Sequence, residues 1–120
     1  MATTRNLSSP LTCMYGTMDT LTVTSSVLAD VGTWDCKFIK TKNLYFTAVS
    51  TQNCSIKILG SYDGGSNYSL VALSTFSMNN NSTDKQISAF FTNLKVQATV
   101  DSTVPGTTTV AVKYAGNNIY

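Results

Sequence analysis

The stretch LKVQATVD, Leu94 to Asp101, alternates without a break: Leu94, Val96, Ala98 and Val100 are apolar, while Lys95, Gln97, Thr99 and Asp101 are polar. A strand with one buried and one wet face needs that period of two, because successive side chains leave the backbone on opposite sides. Thr107 to Tyr114 repeats the pattern, with Thr108, Val110, Val112 and Tyr114 set against Thr109 and Lys113. Between them lies Val104-Pro105-Gly106, where Pro105 presets the first central φ and Gly106 accepts the positive φ of a type II turn. The two stretches are therefore expected to pair as an antiparallel hairpin.

The same period runs through most of the chain. Thr33 to Lys40 sets Trp34, Cys36 and Phe38 against Asp35 and Lys37. Further strands are expected at Thr20 to Ser26, Leu44 to Val49, Ser55 to Leu59, Tyr68 to Ser74 and Gln86 to Phe91, with room for a turn of helix at Val27 to Val31. This set predicts an all-β fold, an antiparallel β-sandwich of jelly-roll type with about eight strands. A closed barrel is the competing architecture. No internal repeat of roughly 20 to 50 residues is visible, which argues against a propeller or solenoid. A chain of 120 residues suits a single core. Residues 1–19, which include Pro10 and Gly16, read as an N-terminal arm and the segment leading into the domain, and residues 20–120 read as the sandwich. Met78 to Lys85, MNNNSTDK, is expected to be the most exposed loop. Adjacent Phe90 and Phe91, if they share a strand, point to opposite faces, and one of them then needs a second surface to cover it.

Composition narrows the function. Only 12% of the residues are charged, and Ser plus Thr make up about a quarter, so the surface is polar through hydroxyls and amides. A net charge of +2 without a basic block gives no electrostatic footprint for nucleic acid. No apolar run approaches the length needed to span a bilayer, and MATTRNLSSP lacks the apolar core of a signal peptide; a cytoplasmic protein with no membrane partner is expected. Cys13, Cys36 and Cys54 are odd in number and widely spaced, which fits buried thiols better than a disulfide framework or a CxxC site. The chain has no histidine, so a serine or cysteine triad, a His-ligated zinc and a histidine base are excluded within it. Its six acidic residues are all aspartates, and nothing marks a converging pair of carboxylates or a calcium loop. No catalytic residue, metal ligand or cofactor is expected, and the chain reads as a non-enzyme.

One segment invites a functional reading: GSYDGGSNY, Gly60 to Tyr68, between two apolar runs. Turn chemistry accounts for it. Ser61 helps close the turn, Asp63 accepts from nearby backbone amides, and Gly64 and Gly65 supply unusual φ values. That leaves Tyr62 as the ring at the tip. The series Ser61-x-Asp63-x-Gly65-x-Asn67-Tyr68 resembles the Asp-box of sialidase-like propellers, with Asn and Tyr in place of Thr and Trp. Here it occurs once, so the likeness extends to the turn and not to the hydrolase.

A longer resemblance joins Ile56 to Leu59, Gly60 to Gly65, Tyr68 to Leu73, Leu94-Lys95-Val96, Gly106 and Thr107 to Tyr114. Together these pieces resemble small tailed-bacteriophage virion proteins, and by size the head decoration or cement proteins among them. The resemblance implies a β-sandwich that sits on the capsid exterior, often as a homotrimer, and clamps the major capsid protein after assembly in the bacterial cytoplasm. Candidate partner contacts are Arg5, Leu7, Leu11, Met14 and Tyr15 in the arm and its lead-in, together with Tyr62. Competing readings are a carbohydrate-binding or host-adhesion module using Tyr62 and Tyr68, and a tail-tube or head-completion protein.

Overall fold

The computed structural model describes residues 13–23, 28–37, 39–50, 53–88, 91–100 and 107–117. Eight strands lie among them: β1 Cys13–Val23, β2 Ala29–Asp35, β3 Thr41–Ser50, β4 Cys54–Ser61, β5 Ser69–Met78, β6 Ser82–Ile87, β7 Asn93–Val100 and β8 Thr108–Asn117. No helix occurs among the described residues. The strands build two four-stranded sheets, ordered β1-β8-β3-β6 and β2-β7-β4-β5. Every pairing is antiparallel. This interleaved order, with most chain connections passing from one sheet to the other, is that of a jelly roll.

The all-β sandwich matches the expectation from alternation, but the expected hairpin does not form. β7 lies between β2 and β4, whereas β8 lies between β1 and β3 in the other sheet. β7 buries Leu94, Val96, Ala98 and Val100, β8 buries Thr108, Val110 and Val112, and placing the two faces in opposite layers lets them close one core. Alternation identifies the buried face of a strand and is silent about its neighbour. Pro105 and Gly106 lie outside the described residues.

Other boundaries move for local reasons. β1 starts at Cys13, well before the expected Thr20, and pairs with β8 along its length. The helical turn expected at Val27 to Val31 is not present at its described end, where Val31 belongs to β2. The register slips between Asp30 and Gly32, so Val31 is a bulged residue, and the bulge lets Val31 and Trp34 both face the core despite their odd spacing. β2 ends at Asp35 rather than Lys40. The presumed loop Met78 to Lys85 is mostly strand: only Asn79 to Asn81 link β5 to β6, with Asn80 at a φ of 50°. Its polar sequence suits an edge strand, since Ser82, Asp84 and Gln86 face solvent while Ile87 is buried. β6 ends at Ile87, so Phe91 is not part of that strand. Its ring is buried against Gly60, where an added Cβ would overlap it, and it needs no outside surface to cover it. Phe90 lies outside the described residues.

The core is fed evenly by both layers. Leu44, Phe46 and Ala48 of β3 join Val110 and Val112 of β8 on one side, and Ile56 and Ile58 of β4 join Leu94, Val96 and Ala98 of β7 on the other. Two aromatic pairs bridge the sheets. Trp34 of β2 stacks on Tyr114 of β8 with centroids 4.4 Å apart, and Phe46 of β3 meets Phe76 of β5 edge to face at 5.1 Å. Cys36 and Cys54 are buried. Lys42 is also enclosed; its ammonium donates to the Lys40 carbonyl at 3.3 Å, and burial lowers its pKa.

The strand order is directly testable by NMR. Backbone NOEs should link Lys95 to Thr33 and Leu59, and Lys113 to Thr17 and Tyr45. A ladder of amide and Hα contacts between β7 and β8 would instead demonstrate the hairpin.

Candidate functional site

The hairpin joining β4 to β5 is the most heavily bonded turn in the described structure. Asp63 sits at its centre. Its carboxylate accepts from the Ser61 hydroxyl at 2.7 Å, from the Asn67 backbone N–H at 2.9 Å and from the Asn67 side-chain amide at 2.7 Å. The Ser61 oxygen in turn accepts from the Gly65 N–H at 2.9 Å. Gly64 and Gly65 hold φ of 77° and 94°, the left-handed region that side chains disfavour. The Asn67 amide first, and then the Asn67 and Ser61 bonds, hold the Asp63 carboxyl well below its ordinary value of 3.8, at about 2. A carboxylate so committed is a poor general base at neutral pH.

Thr92 ties three segments together at this end of the sandwich. Its N–H and hydroxyl both donate to the Ser61 carbonyl, at 2.8 and 3.1 Å. Its hydroxyl oxygen accepts from the Gly64 N–H at 2.9 Å, and its carbonyl accepts from the Cys36 N–H at 2.9 Å. The Cys36 thiol points at the Phe91 carbonyl, 3.5 Å away, and burial pushes its pKa up to about 11. On this braced base stands Tyr62, its ring tilted by 33° against Phe91 at 4.8 Å between centroids and still 69% exposed. Tyr68 offers no comparable open ring. It is half-buried, with the Lys95 ammonium 4.4 Å from its centroid, and burial raises its pKa. Among the described residues no ring contact joins Tyr62 to Tyr68.

A second surface lies on the outer face of the β1-β8-β3-β6 sheet. The registers place Tyr15, Ala115, Asn43 and Gln86 in one row across the four strands, and Thr17, Lys113, Tyr45 and Asp84 in the next. Ala115 is small, and two adjoining hollows of about 590 and 380 Å³ open around it. Tyr15 is 87% exposed and Tyr45 46% exposed.

Of the residues that sequence singles out, Tyr15 lies on this outer face and Tyr62 on the hairpin of the other sheet. Met14 belongs to β1, but its side chain is outside the described set, as are Arg5, Leu7 and Leu11 altogether. Sequence reasoning passed over Tyr45, Asn43 and Lys113 as site residues. The signal was available, since alternation with buried Leu44 and Phe46 turns Asn43 and Tyr45 outward. The missing information was which strands lie side by side. Among the described residues, no three His, Cys, Asp or Glu side chains cluster as a metal site, and no helix is long and apolar enough to cross a membrane.

No known protein family matches the chain, and no curated protein matches it in sequence. Solved structures do match in fold. The exported protein XepA of PBSX superposes with a TM-score of 0.59 at 7% identity, over 89% of this chain and 37% of that one. A subunit of Bacillus endospore appendages, described as disulfide-linked pili, gives 0.53 at 13% identity, over 93% and 97%. The SPBc2 prophage-derived protein YomS gives 0.52 at 16% identity, over 93% and 98%. At such identities the likeness is one of fold.

Two measurements check the hairpin's construction. The Asp63 carboxyl should titrate near pH 2 in the folded protein. Because that value is depressed, its contribution to stability is complete above the unfolded value and is lost as pH falls through the folded one. Asp63→Ala should accordingly lower Tm more at pH 7 than at pH 2, and an equal loss at both would contradict this role. Thr92→Val, which removes the hydroxyl bridging Ser61 and Gly64, should cost about 1 kcal/mol in urea denaturation. Unchanged stability with unchanged exchange at the Gly64 amide would show that the bridge is idle.

Proposed function

We propose that this chain is a structural protein of a tailed-phage virion. Within that class we assign it to the head decoration or cement proteins, which bind the outside of the capsid through the major capsid protein and stiffen the shell. The observation that carries the reading is a jelly roll matched nearly end to end by a prophage-derived protein. The fold of the appendage subunit is consistent with a module that works by assembly.

The chemistry of the chain supports a mechanical role. Its most heavily hydrogen-bonded carboxylate is consumed in holding a turn, and the chain has no histidine to serve as a base. The hairpin braced by Thr92 suits docking instead. Tyr62 projects from it as a rigid ring backed by Phe91, so binding would immobilise little that is not already fixed. A single tyrosine contact is weak, and repetition over a symmetric lattice multiplies it, the more so if the chain docks as a trimer. The proposal locates the protein on the virion exterior and requires no cofactor, nucleic acid or membrane.

Mass spectrometry of purified particles should find this chain at a copy number comparable to that of the major capsid protein. Particles lacking it should lose resistance to heat and osmotic shock, and Tyr62→Ala should lower occupancy without unfolding the protein. Only a handful of copies per particle would move it to the neck or tail, where ring-shaped assembly is expected. No copies would overturn the reading.

A further inference from the structure

The outer face of the β1-β8-β3-β6 sheet carries chemistry that shell binding through Tyr62 does not use. We propose that the hollow around Ala115 binds a neutral oligosaccharide, with Tyr15 and Tyr45 as stacking platforms and Asn43, Gln86, Asp84 and Lys113 as hydrogen-bonding groups.

Three features select this ligand. The first is amphipathic composition: exposed tyrosine rings provide apolar faces for the C–H side of a sugar ring, and amide, carboxylate and ammonium groups beside them suit its hydroxyls. A purely apolar partner would leave those polar groups unmatched, at a cost for each one desolvated. The second is charge. Lys113 and Asp84 sit opposite Tyr45 on its two neighbouring strands, so positive and negative groups flank the same ring. A site so balanced favours an uncharged ligand over a phosphate or a polyanion. The third is spacing. Tyr15 and Tyr45 are two strands apart and one outward-facing row apart, roughly 12 Å between backbones by standard sheet geometry, the span of a short oligosaccharide. Ala115 supplies the floor between them, and the larger hollow, about 590 Å³, has the size of an ordinary small-ligand site.

The site is built on strands rather than loops. β8 is hydrogen-bonded on both sides, to β1 and to β3, so the two tyrosines are held on either side of a fixed central strand. Such a platform loses little freedom on binding. A virion protein with this face would hold the particle against glycans of a cell surface while its hairpin faces the shell.

The test is NMR titration of the isotope-labelled full chain with neutral trisaccharides of glucose, mannose and galactose, with sialyllactose as the charged control. At least one neutral sugar should shift amides clustered around Asn43, Tyr45, Lys113 and Ala115, and sialyllactose should bind more weakly. Tyr45→Ala and Tyr15→Ala should each weaken binding about tenfold, and Ala115→Trp should abolish it, with melting temperatures kept near that of the parent because these side chains are exposed. Binding of no neutral sugar at millimolar concentration, shifts located elsewhere, or variants that bind like the parent would each overturn the site. Particle occupancy separates this inference from the docking proposal. Tyr45→Ala should leave occupancy intact, and a loss of occupancy in a protein that binds no sugar would identify the face as a protein interface instead.

Discussion

Leu94, Val96 and Ala98 on one layer and Val110 and Val112 on the other are shielded completely from water. They achieve this only because the chain passes from one sheet to the other between residues 100 and 108. The layout of the two sheets is tied to that crossing. It makes β7 and β8 central strands of different sheets, each bonded on both sides, and it leaves β1, β6, β2 and β5 as the four edges. Trp34 on Tyr114 and Phe46 on Phe76 then hold the layers in contact. Burial of such faces is worth about 25 cal/mol per Å² of apolar surface.

With the core settled, the ends and outer faces are free to specialise, and they do so differently. At the hairpin end, stiffness comes from polar bonds. Thr92 holds Ser61, Gly64 and Cys36, and Asp63 holds Ser61 and Asn67, so a glycine-rich segment keeps a single geometry. On the outer face of the first sheet, stiffness comes from the ladder itself, and side chains are spared for contact. The division leaves one small domain with two surfaces of different construction, the two proposed for binding.

Much of the fold was legible in the sequence because period two is a direct imprint of burial. The strands β3, β7 and β8 appear where Leu44 and Phe46, Leu94 and Val96, and Val110 and Val112 recur at every second position. What failed were inferences about adjacency. The segment with Pro105 and Gly106 carries the chemistry of a turn, but turn chemistry does not say whether the strands it joins will pair or part. β6 was hidden for a different reason: an edge strand with one wet face needs few apolar residues, so Ser82 to Lys85 reads as loop. Tyr62 stood out from its place in a glycine-rich turn. The Tyr15 and Tyr45 face did not, since it exists only once β1, β8 and β3 are laid side by side.

The proposed docking hairpin and the proposed sugar-binding face together imply a definite orientation on the particle, with Tyr62 turned toward the shell and the β1-β8-β3-β6 sheet open to the surroundings. Cryo-electron microscopy of the intact virion tests this most directly. The account predicts a two-layered β-sandwich repeated over the outside of the capsid lattice, with the Gly60 to Tyr68 hairpin in contact with the major capsid protein. A shell bare of such density, or the sandwich found only in the tail, would contradict it.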